Sequence, residues 1–125
     1  MKSTQELVNE WFDIWNKGNF QELPLAEDFK HISPYGTIEG KSNYMELIES
    51  NRDKFLGNRI EMHDEIYEGN RGCVRYNVSK GDFSMNVSEW LYIENDKIKE
   101  ISAYYNIKGE ISEDRKLSPG SYEDA

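Results

Sequence analysis

The chain has 125 residues, with 15 lysine and arginine residues against 24 aspartate and glutamate residues, which gives a net charge of −9. This length suits one domain with one core, and the 37% hydrophobic residues supply the apolar material for it. The negative charge disfavours nucleic acid and anionic membrane surfaces as partners, and because no membrane-spanning run or signal-peptide pattern is visible, we expect a cytoplasmic protein.

The first predicted element is an amphipathic helix with an aromatic face. Ser3 and Glu6 have the spacing of a capping box, and Gly18 stands where the helix would end. The apolar residues that recur at helical spacing are Leu7, Val8, Trp11, Phe12, Ile14 and Trp15. Both tryptophans could fill a core, as aromatic stripes commonly do, or could form the walls of a pocket.

Two further helices are predicted in the first half of the chain. Asn19 could cap a short helix that Pro24 interrupts. Helical spacing returns from Lys41 to Leu56, and Gly57 stands where that helix would stop. Its apolar positions are Tyr44, Leu47, Ile48 and Phe55.

A brief strand lies between these helices and carries two candidate site residues. It covers residues 29–32 and is closed by the turn-forming residues 33–36. His31 and Ser33 share the strand parity of Phe29, so they point inward if Phe29 does. An imidazole titrates near neutral pH, so His31 could exchange a proton with a bound molecule, although hydrogen-bonded packing is the alternative.

The second half is predicted to be a four-stranded antiparallel meander. Apolar and polar residues alternate, and connections of a few residues permit only antiparallel neighbours. The inward positions of the first two strands are Ile60, Met62, Ile66, Val74, Tyr76 and Val78. His63 has the opposite parity, which predicts a surface position. Cys73 is the only cysteine and is interpreted as a small apolar filler.

The third strand of the meander, Phe83 to Glu94, contains the main candidate site residue. Its inward parity comprises Phe83, Met85, Val87, Leu91 and Ile93, with Glu89 among them. Such a carboxyl group is either paired or protonated, because burying it charged and alone costs roughly several kcal/mol. We therefore predict a catalytic or ligand-binding role for Glu89, the alternative being a buried hydrogen bond to a neighbouring tyrosine or indole.

The remaining surface and tail suggest an assembly rather than a cofactor site. Trp90, Tyr92 and Tyr104 have outward parity on the meander, which predicts a homodimer through the open face of the sheet. Two distant histidines and one cysteine are too few ligands for zinc, and no phosphate-binding or dinucleotide motif occurs, so no metal or cofactor is expected. We assign residues 1–108 to the domain and the acidic, aperiodic residues 109–125 to a mobile tail.

Four segments carry a resemblance to a known family. They are Trp15-Asn16-Lys17-Gly18-Asn19, Leu25 to Phe29, Ser33 to Gly36 followed by Gly40, and Lys97 to Tyr105. Their order resembles the cone-shaped α+β fold of the nuclear transport factor 2 (NTF2)-like, SnoaL-like and ketosteroid isomerase superfamily, a cystatin-like architecture, over residues 3–107. The resemblance implies N-terminal helices packed on a curved antiparallel β-sheet, and a homodimer.

The same resemblance implies a site that differs from that of the isomerases. Ser33 stands where the isomerases have a catalytic aspartate, and Trp11 aligns with their oxyanion-hole tyrosine. Glu89 aligns with their oxyanion-hole aspartic acid, which is kept neutral so that it can donate a hydrogen bond. The Arg-Asp-Asp set of limonene-type epoxide hydrolases is incomplete, since Ala103 occupies the place of the last aspartate.

Three functional hypotheses follow. The first is an aromatic-lined cavity that binds a small, largely apolar molecule. The second is a proton-transfer enzyme, such as an isomerase, cyclase or dehydratase, acting on a small carbonyl compound. The third is a non-catalytic dimerisation or protein-interaction domain whose tryptophans fill its own interior. Whether the protein is an enzyme stays open at this stage.

The candidate catalytic residues are Glu89 and His31, and the candidate ligand-binding residues are Trp11, Trp15, Ser33, Tyr105, Met85 and Met62.

Overall fold

A computed structural model describes residues 2–106. The helices are α1 (Thr4–Lys17), α2 (Lys41–Ser50) and α3 (Arg52–Phe55), and a single 3₁₀ turn, Phe20–Glu22, follows α1. The strands are β1 (Leu25–Ser33), β2 (Gly36–Glu39), β3 (Arg59–Glu68), β4 (Arg71–Lys80), β5 (Phe83–Glu94) and β6 (Lys97–Tyr104). None of these helices is long and apolar enough to cross a membrane. The predicted tail, residues 109–125, lies outside the described residues.

Helix α1 has the predicted bounds because both of its ends are capped. The Ser3 side chain accepts a hydrogen bond from the Glu6 N–H at 3.1 Å, and the Glu6 carboxylate in turn accepts from the Ser3 N–H. At the other end Gly18 adopts a φ of 86°, a left-handed conformation that glycine takes without strain. The Thr4 hydroxyl donates to the Gly69 carbonyl at 2.6 Å, which fixes α1 to the β3–β4 turn.

The six strands form one mixed sheet in the order β2-β1-β6-β5-β4-β3. Strands β3 to β6 are the predicted antiparallel meander. Strand β1 is longer than predicted and runs parallel to β6, with His31 opposite Ile101. Strand β2, which the sequence analysis did not predict, pairs with β1 through the turn at Pro34 and Tyr35. The helices and the curved sheet agree with the predicted α+β, NTF2-like cone.

A β-bulge in β3 overturns one predicted inward position. Met62 lies opposite Tyr76, but the next pair joins Asp64 to Arg75, so His63 has no opposite residue on β4. An extra residue in one strand exchanges the two faces beyond it. Ile66 therefore points outward and is 72% exposed, contrary to the prediction. His63 is exposed as predicted.

Three other predictions from the pattern of apolar residues were wrong. The helix predicted from Lys41 to Leu56 is interrupted at Asn51, whose φ of −117° is not helical. Leu47 is exposed on its outer side, so the buried stripe of α2 is narrower than predicted. Phe83 is also exposed, because it stands at the first position of β5, at the β4–β5 turn.

The core lies between the helices and the inner face of the sheet. It separates into a main cluster under α1 and α2 and a smaller cluster of Val78, Val87 and Ala103. Residues 74 and 91 belong to the main cluster, while 87 and 103 belong to the smaller one. The boundary between the two clusters therefore crosses the middle of β5, the position that the candidate site occupies.

Candidate functional site

Glu89 lies on the inner face of the sheet at this boundary. It pairs with Val74 on β4 and with Ala103 on β6, and its neighbours on the same face of β5 are Val87 and Leu91. Only 2% of its surface is exposed, so the carboxyl group that strand parity predicted to point inward is buried among apolar side chains.

The two carboxyl oxygens of Glu89 have different surroundings. The Tyr76 hydroxyl donates a hydrogen bond to Oε2 at 3.1 Å. Oε1 is buried and has no hydrogen-bond partner in the described part of the chain. Burial raises the pKa of Glu89 from 4.5 to about 7, although the bond from Tyr76 opposes this rise. At neutral pH the group is therefore divided between its acid and carboxylate forms.

Three tyrosines lie close enough to this carboxyl group to be affected by its charge. Tyr44 from α2, Tyr76 from β4 and Tyr105 after β6 all have pKa values raised by burial first and by the charge of Glu89 as a further cause. The Tyr76 ring packs edge-on against Phe12 of α1, with ring centroids 4.9 Å apart. The hydroxyl groups stay protonated at neutral pH and are available as hydrogen-bond donors.

His31 joins the same group through Tyr44. The two rings are stacked with centroids 5.1 Å apart, and Phe29 tilts against the imidazole at 6.3 Å. Burial lowers the pKa of His31 from 6.5 to about 4, so the imidazole is neutral at pH 7. The lowered pKa makes the imidazole a weak base at neutral pH, which differs from the near-neutral titration on which the sequence analysis relied, so a proton-transfer role for His31 stays a prediction.

The two tryptophans of α1 have different neighbours. Trp11 is 3% exposed and stacks on Tyr44 with ring centroids 6.3 Å apart, so it adjoins the tyrosine group. Trp15 packs instead against Phe20 and Phe55, at 4.8 and 5.4 Å, and its buried Nε1 has no partner among the described residues. Both indoles occupy core positions, as aromatic stripes commonly do, and their predicted ligand-binding role stays a prediction.

The other predicted ligand-binding residues divide between the two clusters. Met62 packs against the main cluster, whereas Met85 and Tyr105 pack against the smaller one. Ser33 is partly buried at the end of β1, and its hydroxyl accepts a hydrogen bond from the Tyr35 N–H at 3.2 Å. The Tyr35 and Tyr105 rings are 5.8 Å apart, so this end of β1 adjoins Tyr105.

Tyr105 also borders a surface depression of about 380 Å³. The depression is lined by Pro34, Asn86, Tyr104, Tyr105 and Asn106. Tyr105 follows Ala103, the residue opposite Glu89, by two positions, so it lies on the same side of the sheet as the buried carboxyl group. A second depression, of about 550 Å³, is lined mainly by charged and polar residues from Lys2 to Lys97. Neither depression is lined by Glu89 or His31.

Comparison with known families identifies the fold. Residues 8–101 match the family model of the SnoaL-like domain. The chain belongs to the SnoaL-like domain family. No curated protein matches it significantly.

Solved structures agree with this assignment to the NTF2-like superfamily. An NTF2-like protein of unknown function from Cytophaga hutchinsonii ATCC 33406 is 25% identical, covering 85% of this chain and 92% of its own, with a TM-score of 0.74. A protein from Kribbella flavida DSM 17836, provisionally described as a ketosteroid isomerase, is 18% identical. The match covers 98% of this chain and 89% of that protein, with a TM-score of 0.74. A protein from Pseudomonas putida KT2440, provisionally described as a polyketide cyclase, is 20% identical. The match covers 86% of this chain and 94% of that protein, with a TM-score of 0.69.

Two residues near Glu89 were not predicted as site residues. Tyr76 was assigned only to the inner face of β4, and Tyr44 only to the apolar stripe of its helix. Tyr76 lies diagonally across from Glu89, because Tyr76 pairs with Val87 in the β4–β5 register. Strand parity together with that register would have identified it. No group of three or more metal-ligating side chains occurs within residues 2–106.

Proposed function

We propose that this SnoaL-like domain binds a small, largely apolar molecule through a hydrogen bond between Glu89 and a ligand oxygen. The observation that carries the proposal is the buried Oε1 atom without a partner in the described residues, beside an Oε2 atom that Tyr76 already satisfies. A buried polar atom without a partner costs about 1–3 kcal/mol, and a ligand atom would remove that cost. The unpartnered oxygen is therefore the polar contact that orients the ligand.

The chemistry of the surrounding residues favours an apolar ligand. Valine, leucine and alanine side chains flank Glu89 along the strand and across it, and these offer a ligand no hydrogen bond. The depression beside Tyr105 supports entry from that end of the sheet. The provisional descriptions of two relatives as a ketosteroid isomerase and a polyketide cyclase also favour a carbonyl compound.

A matched pair of probes tests the hydrogen bond. 1-Tetralone and tetralin have the same two-ring skeleton, but only tetralone has a carbonyl oxygen. At about pH 6, where Glu89 is mostly protonated, titration calorimetry should show that tetralone binds more tightly than tetralin. Glu89→Leu, whose side chain can neither donate nor accept a hydrogen bond, should weaken tetralone binding about tenfold, the equivalent of one lost hydrogen bond of about 1.4 kcal/mol. Equal binding of the two probes would contradict the proposal.

The control variant is Glu94→Leu, which makes the same chemical change on the same strand. Glu94 is exposed and pairs with Lys99 at the surface, where an ion pair contributes little. Tetralone affinity should therefore be unchanged in Glu94→Leu. Unchanged affinity in Glu89→Leu as well would remove Glu89 from the site.

Proton transfer is a second candidate function, and the pKa of Glu89, at about 7, supports it because it lies near the working pH. His31 stacks on Tyr44 and is neutral, but its pKa of about 4 makes it a weak base. In this candidate mechanism His31 takes a proton from tetralone C2 while Glu89 gives one to the carbonyl oxygen, and both transfers reverse in D₂O. NMR of tetralone incubated with the protein in D₂O tests this candidate function. Deuterium should appear at C2 of tetralone with the wild-type protein and not with Glu89→Gln.

We also propose a homodimer through the outer face of the sheet. Trp90 and Tyr104 point outward there and are 36% and 61% exposed, and Tyr92 has the same parity. The bulge in β3 adds Ile66, which lies in one cross-strand row with Cys73 and Trp90. An exposed aromatic and aliphatic surface of this kind favours association. The expected cytoplasmic location stays a prediction from the sequence.

Light scattering tests the dimer. At about 10 µM and roughly 0.15 M salt, which screens the repulsion between two chains of charge −9, the wild-type protein should have twice the mass of one chain. Trp90→Lys should shift it towards the monomer, since it places a charge in the apolar row. Ser42→Lys adds the same charge at an exposed position of α2 and should remain dimeric. A monomeric wild-type protein would contradict this interface.

A further inference from the structure

The position of the hydrogen atom on neutral Glu89 follows from counting donors and acceptors. Tyr76 and Glu89 share one contact, between the tyrosine hydroxyl and Oε2 at 3.1 Å. If Tyr76 donates, its hydrogen is satisfied and Oε2 is an acceptor, so the acid hydrogen lies on Oε1. If Glu89 donated through Oε2, the tyrosine hydrogen and the Oε1 acceptor would both lack a partner in the described residues. The first arrangement leaves one unsatisfied group and the second leaves two.

We infer that Tyr76 is a positioning residue, which holds Glu89 so that its neutral acid presents a hydrogen-bond donor, Oε1–H, to the ligand. The inference rests on the proposed function, and it restricts the ligand to molecules with an acceptor oxygen, such as a ketone, at the atom that meets Glu89. An ammonium group, which can only donate, would meet a second donor there and is excluded while Glu89 is neutral.

The packing around Tyr76 holds its hydroxyl in one place. The phenol ring contacts Phe12 edge-on at 4.9 Å and packs against the smaller core cluster, so α1 and the sheet enclose it. The titratable groups that face Glu89 are the hydroxyls of Tyr44, Tyr76 and Tyr105. Burial holds the pKa of Tyr76 well above its ordinary value, so Tyr76 keeps its hydrogen and stays a donor when Glu89 ionises.

Infrared spectroscopy of the unliganded protein tests this role directly. Carbon-13 labelling of the glutamates and subtraction of the Glu89→Gln spectrum would isolate the carboxyl band of Glu89, which can be followed with pH. Tyr76→Phe keeps the ring and removes only the hydroxyl. Since the lost bond favours the carboxylate over the acid, the pKa of Glu89 should rise by about one unit in this variant. The C=O stretch of the neutral acid should also move to higher frequency, because Oε2 no longer accepts a hydrogen bond.

Tyr67→Phe is the matched control. Tyr67 has a buried hydroxyl without a hydrogen-bond partner among the described residues, and it lies in β3, away from the contact with Glu89. Its replacement should leave both the pKa and the band position of Glu89 unchanged. The inference is overturned if Tyr76→Phe moves neither quantity, or if it lowers the pKa.

Two further measurements separate this inference from the proposed function. The wild-type band position needs only the Glu89→Gln spectrum and not that of Tyr76→Phe, and a frequency typical of a carbonyl without a hydrogen bond would overturn the positioning role even if Tyr76→Phe failed to fold. Tetralone affinity should fall about threefold to tenfold in Tyr76→Phe at about pH 6, because the donor is less well oriented. If the wild-type protein bound no tetralone, the proposed function would fail, while the infrared result would still decide the role of Tyr76.

Discussion

Replacing Glu89 by glutamine should stabilise the folded protein by ~3 kcal/mol at about pH 9 and have little effect at about pH 4. The pKa of the carboxyl group is about 7 in the folded state and 4.5 as its ordinary value. Each pKa unit corresponds to ~1.4 kcal/mol, so ionisation costs the folded state ~3 kcal/mol more than the unfolded state. A raised carboxyl pKa means that stability is complete below about pH 4.5 and is lost as the pH rises to about 7. Glutamine keeps the shape and cannot ionise.

Urea denaturation of both proteins between about pH 4 and pH 9 would measure this difference. The comparison must be made as a variant minus wild-type difference, because other carboxyl groups also titrate in this range. Glu94→Gln, at an exposed position of the same strand, should show a difference below about 0.5 kcal/mol at every pH. If the difference in the free energy of unfolding between Glu89→Gln and the wild-type protein did not change with pH, the carboxyl group would have an ordinary pKa and would not be buried as described.

Replacing His31 by glutamine should produce the opposite pH dependence. The imidazole pKa is about 4 in the folded state against an ordinary 6.5, so the unfolded state binds a proton that the folded state rejects. Stability from this group is present above about pH 6.5 and is lost as the pH falls towards 4. Relative to the wild-type protein, His31→Gln should therefore gain ~3 kcal/mol at about pH 4 compared with about pH 8. His63→Gln, at an exposed position of β3, is the control and should show no such gain.

In the wild-type protein, the effects of Glu89 and His31 on the pH dependence of stability cancel each other. Between about pH 4.5 and 6.5 the folded state holds a proton on Glu89, while the unfolded state holds one on His31 instead. The proton counts are nearly equal, so these two groups together give almost no slope of stability with pH. Glu89→Gln and His31→Gln each remove one of the two titrating groups, so the pH dependence caused by the other group becomes measurable. A His31→Gln profile that is parallel to the wild-type profile would show that the imidazole is not shielded from water.

Strand parity was sufficient to predict the buried carboxyl group. Glu89 lies in a row of alternating apolar residues, and period-two alternation determines which side chains share a face. The partner of Glu89 needed one more relation, the β4–β5 register, which places Tyr76 diagonally across from it. Turn lengths constrain a register only approximately, so the contact between Tyr76 and Glu89 could not be predicted as directly as the inward orientation of Glu89.

Other features depended on interactions that a single stretch of sequence does not reveal. The bulge at His63 turns Ile66 outward, and no glycine or proline in β3 marks that position. The partner of β1 also depends on tertiary structure, since parity orients His31 but does not say that β1 lies beside β6. The tryptophan stripe predicted burial correctly, but it could not tell a pocket wall from core packing, because both require the same apolar face.

The pairing of β1 with β6 also limits the order in which the molecule can assemble. His31 lies beside Ile101, so the first strand reaches its final neighbour only after nearly the whole domain has been synthesised. Such distant pairings slow folding, because a long loop must close before the contact forms. The meander can form earlier from its short hairpins, and its apolar inner side is then exposed to chaperones or to aggregation until the amino-terminal segments cover it.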